Sequence, residues 1–216
     1  MRFLPTRPRN RALSLPELVL IMAVVGLLLL ILIPGLVPRR KNSVQFGCLI
    51  HLKQVALGFQ LWASDHDGQY PMANFTNTAG GPAFADSSNA YRYFQALSNE
   101  LLYTSLLICP TDRTRSAATN FTSDFNNQRL SYFVGLQARQ SNSNLFLAGD
   151  RDLTNRLTPR NGILPVTTNQ NACWSGKRHP GGGNVALADG SAMWLPDAAL
   201  ERALTKSMAT NVLLFP

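Results

Sequence analysis

Nine residues separate His179 from the pair Asp189-Gly190, and Asp150 and Asp152 flank Arg151 further upstream. A histidine with carboxylates is adequate chemistry for acid–base work or for holding a metal. The wider context of a catalytic site is missing. There is no H-E-x-x-H and no G-x-S-x-G, and Gly181–Gly183 is not followed by the Lys-Ser/Thr of a phosphate loop. His179 therefore reads as a side chain that bonds a loop beside a hairpin, and Asp189 as a turn residue. Asp65-His66-Asp67-Gly68 offers a second carboxylate pair. It lacks the further acids and closing glutamate of a calcium loop, so a turn that ends a helix accounts for it. Asp65, Asp67, His179 and Asp189 stand as turn residues or weak metal candidates. No cofactor, no metal and no enzymatic activity are expected. Cys48, Cys109 and Cys173 form no C-x-x-C pair, which weakens zinc and thioredoxin-like readings. In an exported head, one disulfide and one spare thiol is a natural arrangement, and three buried thiols is the alternative. Spacing does not choose the pair; Cys48 with Cys109 is one candidate.

Glu17 poses a different chemical question. It opens a run, Leu18 to Val37, that carries no charge and is almost wholly apolar. Some 20 residues suffice to cross a hydrocarbon layer about 30 Å thick. No small-x-small cleavage site follows the run, which argues for a retained anchor over a cleaved secretory signal. An ionisable group at such a place costs free energy unless it has a partner. A cut between Ala12 and Leu13 would supply one. The new α-amine of Leu13 is mostly protonated near neutral pH, and Leu13 and Glu17 are i and i+4 on one helical face. The amine of a neighbouring copy could take the same carboxylate.

The residues around Glu17 strengthen this. Arg11-Ala12, then Leu13-Ser14-Leu15-Pro16-Glu17, then Gly26 and Pro34 in the apolar run, resemble the N-terminus of the type IV prepilin and type II secretion pseudopilin family. Ala12 stands where the family usually has Gly, and Leu13 where it usually has Phe. "CPTD" at Cys109–Asp112, "GDRD" at Gly149–Asp152 and the His179–Gly190 element look like the H-x9-DG type of prepilin-like protein from planctomycete and verrucomicrobial genomes. The resemblance implies a leader over 1–12 cut by prepilin peptidase, N-methylation of Leu13, and assembly through Glu17. It implies an inner-membrane protein with its N-terminus in the cytoplasm and its head outside. Its partners would be other pilin or pseudopilin subunits and the secretion or pilus platform.

These residues need elements to position them. The expectation is α+β: a long N-terminal transmembrane and stalk helix (13–38 and 39–64) packed on a small antiparallel-sheet globular head (65–216). Val44, Cys48, Leu52, Val55, Phe59 and Trp62 recur at helical spacing, which predicts an amphipathic helix over Ser43–Ala63. Pro34, Gly35 and Pro38 predict a kink or local melting ahead of it. Pro71–Asn89 and Ser116–Gln128 read as polar loops. A short helix is expected over Tyr91–Tyr103, and strands at Leu106–Ile108, Arg129–Leu136 and Asn144–Ala148. Asn184–Ala188 and Ser191–Leu195, joined by Asp189-Gly190, make a hairpin within 179–195. Asp197–Lys206 closes the chain as a helix.

The net charge of +8 is no nucleic-acid signal. Seven of the 20 cations flank the apolar run, which leaves 13 against 11 acids from Asn42 onward. A filament subunit is the expected function. The alternative is a membrane-anchored extracytoplasmic binding module that does not polymerise, with the two polar loops as its ligand surface.

Overall fold

The computed structural model describes residues 14–36, 40–75, 84–86, 88–155, 157, 159–167 and 172–216. The expected processing site, Ala12 and Leu13, lies outside the described residues, as does Pro38. The chain divides into two compact units, Met1–Arg40 and Lys41–Pro216.

In the first unit, helix α1 runs over Leu15–Leu36, 22 residues, with Glu17 in its first turn. It passes Pro34 and ends two residues later, so within the described residues that proline does not break it. Every described side chain of this unit, Ser14 to Ile31, is exposed. Among the described residues no helix is long and apolar enough to cross a membrane; the described side chains of α1 stop at Ile31.

The second unit is α+β. Helix α2, Arg40–Ser64, covers the predicted amphipathic segment. Cys48, Leu52, Val55, Phe59 and Trp62 are buried on one face, while Val44, at the start of the same stripe, is exposed. Asp65–Gly68 then turns the chain, with Asp67 and Gly68 both at positive φ. The short helices α3 (Pro71–Asn74) and α4 (Ala90–Gln95) follow. The short helix expected over Tyr91–Tyr103 thus spans only six residues, Ala90–Gln95, and turns lead from it to Glu100.

Eight strands complete the unit: β1 Tyr132–Gly135, β2 Phe146–Asp150, β3 Leu153–Thr154, β4 Ile163–Val166, β5 Cys173–Trp174, β6 Gly183–Leu187, β7 Ala192–Leu195 and β8 Asn211–Leu214. Helix α5, Asp197–Ser207, lies between the last two. Six strands form one antiparallel sheet in the order β4-β8-β1-β2-β6-β7, and β3 pairs with β5 apart from it. Both faces of the sheet are covered. Tyr132, Val134, Leu147 and Ala186 join the core built with α2 and α4, whereas Phe133, Phe146, Val185 and Leu187 join the core beneath α5. That is why β1, β2 and β6 are apolar at nearly every position instead of alternating.

The expected strand at Leu106–Ile108 is instead a 3₁₀ turn, Thr104–Leu107. Its polar groups are satisfied elsewhere: Leu107 O accepts from Ser131 N at 2.9 Å, and Ile108 O lies 3.0 Å from His51 Nδ1. Ser116–Gln128 is a loop closed by side-chain turns. Asp124 accepts from the amides of Thr119 and Asn120, and Phe121 and Phe125 anchor it in the core. Strands β4 and β8 were not expected; Pro165 sits inside the first of them.

Gly135 is the tightest point of the sheet. A Cβ there would fall into the backbone carbonyl of Phe146, which cannot move without breaking the β1–β2 ladder. Gly135→Ala should destabilise the unit by about 3 kcal/mol or more. A urea midpoint close to wild type would show that the strands yield more easily than this.

Candidate functional site

Cys48 and Cys109 are joined in a disulfide, with Cα atoms 4.9 Å apart across a separation of 61 residues; Cys173 is free. The disulfide ties α2 to the loop before β1. Thr111 Oγ1 lies 2.9 Å from Cys109 Sγ and 3.5 Å from Cys48 Sγ. His179 Nε2 reaches the same point, 3.2 Å from Cys109 Sγ and 3.2 Å from Thr111 Oγ1. It is also 3.2 Å from Asp150 Oδ2. Disulfide sulfur and carboxylate can only accept, so Nε2 carries the imidazole proton and donates it here. Asp150, at the end of β2, also accepts from Asn184 N and Asn184 Nδ2, both at 2.8 Å. The indole of Trp194 packs edge-on against the imidazole, with centroids 5.8 Å apart.

A charged cluster adjoins this group. Asp112 accepts from Thr114 Oγ1 at 2.6 Å, Ser131 Oγ at 3.0 Å and Arg151 Nε at 3.0 Å, and pairs with Arg178 Nε at 3.2 Å. Asp152 holds both the amide and the guanidinium of Arg178. The short pieces at 109–112, 149–152 and 178–179 therefore meet in one place. Asp150 faces His179, and Asp152 faces Arg178. Asp189 is not part of the cluster. It is exposed past the far end of β6, where its Oδ1 accepts from Ser191 N at 2.8 Å and closes the hairpin turn. Asp65 and Asp67 are likewise exposed turn residues, and His66 between them stacks on Trp62.

The hairpin turn has its own attachment to α2. Lys53 Nζ donates to Gly190 O at 2.7 Å, and Gln60 Nε2 and Tyr70 Oη donate to Ala188 O at 2.8 and 2.6 Å. Burial pushes the Tyr70 hydroxyl up to about 12, so it stays a donor at every physiological pH. The H-x9-DG element thus touches α2 directly at its Asp-Gly end and, through the disulfide, at its histidine end. Its nine-residue spacing is the length of β6 plus its two flanks. The element is a two-point clamp between sheet and helix.

The clamp is sealed. Cys109, His179 and Asp150 are exposed by only 1, 2 and 1 %. These side chains are held out of solvent, and the contacts they make crosslink and neutralise. Cys48, Cys109 and His179 nonetheless place three metal-type ligand atoms within 4.8 Å of one another. Sequence reasoning placed Thr111 and Asp112 in a motif without giving them a role, and gave none to Arg178 and Asn184. The available signal was a carboxylate adjoining an apolar stretch in a chain with only 15 % charged residues, as at Leu107–Asp112.

Asp112 gives this cluster a pH signature. Burial alone would raise its carboxyl, but hydrogen bonds from Arg151 and Thr114 and the charges of Arg151 and Arg178 outweigh that and hold it below the ordinary carboxylate range. Its contribution to stability is then fully present above its unfolded value, about 3.9, and is lost as pH falls through the lower folded value. Asp112→Asn should cost about 3–5 kcal/mol at pH 7, because two guanidinium groups lose a buried counter-charge. The gap between wild type and variant should shrink only below about pH 4. A gap that stayed constant from pH 7 to pH 2 would remove the carboxylate from the account.

Comparison with protein-family models, with curated proteins and with solved structures found no match to this chain.

Proposed function

We propose that the chain is a pilin-like subunit of a type IV pilus-like or type II secretion pseudopilus-like filament. In this reading it enters the bacterial cytoplasmic membrane through its N-terminal helix, with the head outside. Prepilin peptidase cuts between Ala12 and Leu13, Leu13 is methylated, and α1 bundles with the same helix of other subunits. The observation that carries this reading is α1 itself. From Ser14 to Ile31 its side chains are exposed on every face, and Glu17 is the one ionisable group among them. Apolar surface on all sides of a helix demands cover from lipid or from other helices. A carboxylate at its first turn demands a cation.

Helix α2 adds support within the head. Opposite its buried stripe, Phe46, Ile50, Leu57 and Leu61 are exposed on one face. Leu57 and Leu61 line a groove of about 280 Å³ with Leu102, Tyr103 and Leu106. A head that leaves one apolar face of its helix open suits packing between subunits. The sealed clamp suits a structural head better than a catalytic one.

The test is the intact mass and N-terminal peptide of membrane-extracted protein, made with and without prepilin peptidase. A chain beginning at methylated Leu13 only when the peptidase is present supports the reading. A chain beginning at Met1 in both cases sinks it. Correct processing without crosslinked ladders in native membranes would point to an anchored module that does not polymerise.

A further inference from the structure

We propose that the dithiol form of the head is a zinc site, built from Cys48 Sγ, Cys109 Sγ and His179 Nε2. The first three ligand atoms already lie within 4.8 Å of one another, and all three residues are buried. Zinc takes such sulfur and nitrogen ligands tetrahedrally, with bonds of about 2.3 and 2.0–2.1 Å. Those bonds set ligand-to-ligand distances of about 3.7 Å between two sulfurs and about 3.5 Å between sulfur and nitrogen. His179 Nε2 is 3.2 Å from Cys109 Sγ and 3.2 Å from Asp150 Oδ2. The edge from His179 Nε2 to Cys109 Sγ is therefore nearly in place, and the others can form once the S–S bond opens and the two sulfurs part.

A second observation points to the same ligand. Asp150 Oδ1 is buried and has no hydrogen-bond partner, although Oδ2 of the same carboxylate has three. A bare buried oxygen on the carboxylate that touches the histidine ligand favours a cation nearby. These residues supply three ligands, and water would fill the fourth position. Two thiolates neutralise the divalent ion.

The chemistry balances as follows. A dithiol reductant delivers two electrons and two protons to the Cys48–Cys109 bond and is itself left as a disulfide. Zinc then displaces the two thiol protons into solvent, and the imidazole proton moves from Nε2 to Nδ1 so that Nε2 can bind. Disulfide and metal are mutually exclusive occupants of one junction, and either one fastens α2 to the loop and the sheet. The inference stands on the geometry of the head and does not depend on filament formation.

The experiment uses the full chain in detergent, reduced with a trialkylphosphine, which ends as phosphine oxide with its oxygen from water. Cobalt(II) serves as the spectroscopic probe. Reduced wild type should give a cobalt–thiolate charge-transfer band and tetrahedral visible bands that saturate at one cobalt per chain. One equivalent of zinc should bleach them. Oxidised wild type, which has the folded head, should give neither. Cys173→Ser should leave the bands intact, Cys48→Ser should abolish the two-thiolate spectrum, and His179→Ala should weaken binding at least about tenfold. Zinc should also raise the unfolding midpoint of the reduced chain relative to a chelator, since it binds the native form. No band in the reduced wild type overturns the proposal. So does a band unchanged in Cys48→Ser, or a midpoint that zinc does not move.

Discussion

Glu17→Ala should yield processed protein and no filaments. The variant keeps Ala12 and Leu13, so the proposed cut is unaffected. What it loses is the one charge in an otherwise apolar described helix face. In the proposed filament that carboxylate lies among apolar helices, where an unpaired charge costs several kcal/mol, and the amine of Leu13 in a neighbour is its counter-charge. Removing Glu17 leaves the amine buried alone. If that costs about 3 kcal/mol per subunit contact, the critical concentration for assembly rises about 100-fold. Glu17→Gln separates charge from shape, since it keeps the length and a polar end but cannot neutralise the amine. It should fail in the same way. Shearing and pelleting of filaments, read beside the mass of the membrane pool, measures both steps at once. Normal filaments from either variant would mean that subunit register comes from the heads.

The parts of the fold that were legible are those written locally. The α2 stripe could be read because six residues repeat at helical spacing and one face is buried. The β6–β7 hairpin could be read because Asp189-Gly190 interrupts two apolar runs. Strands β4 and β8 were invisible for the opposite reason. They pair with each other from residues 163–166 and 211–214, across α5, and Pro165 in β4 argues against a strand when seen alone. The Leu106–Ile108 segment looked like a strand by composition, but its backbone bonds go to His51 and Ser131. Composition does not say where a carbonyl will find its donor.

The candidate site divides in the same way. Each short piece could be singled out, but their meeting could not. Cys109 and His179 are 70 residues apart in sequence, and Asp112 and Arg151 are 39 apart. Asp150, Asp152, His179 and Asp189 looked like one carboxylate–histidine group. The sheet keeps Asp150 with His179, but β6 carries Asp189 away while the turn after β2 brings Asp152 to Arg178. The spacing of nine residues, which resembled a signature, is set by a strand that must span the sheet between two attachments to α2.

Replacing Cys48 and Cys109 together by serine tests the more costly of those attachments. The disulfide closes a loop of about 60 residues, and the chain-entropy relation assigns such a closure about 4 kcal/mol. Serine hydroxyls can still bond Thr111 and His179, so the loss should come mainly from the unfolded chain being released. Cys173→Ser is the control. That thiol is free and half-exposed, and its loss should change stability by less than about 0.5 kcal/mol. The measurement is urea unfolding with a metal chelator present, which keeps the zinc equilibrium out of the comparison. Hydrogen exchange should localise the weakness: amides around Cys109–Arg115 and the first turns of α2 should open before those of β1, β2 and β6, whose bonds lie in the middle of the sheet. A double variant within about 1 kcal/mol of wild type would mean that the Lys53, Gln60 and Tyr70 bonds to the hairpin turn already hold α2 on the sheet. The disulfide end of the clamp would then be redundant for stability, and the buried His179–Asp150 pair would be kept for something other than fastening the helix.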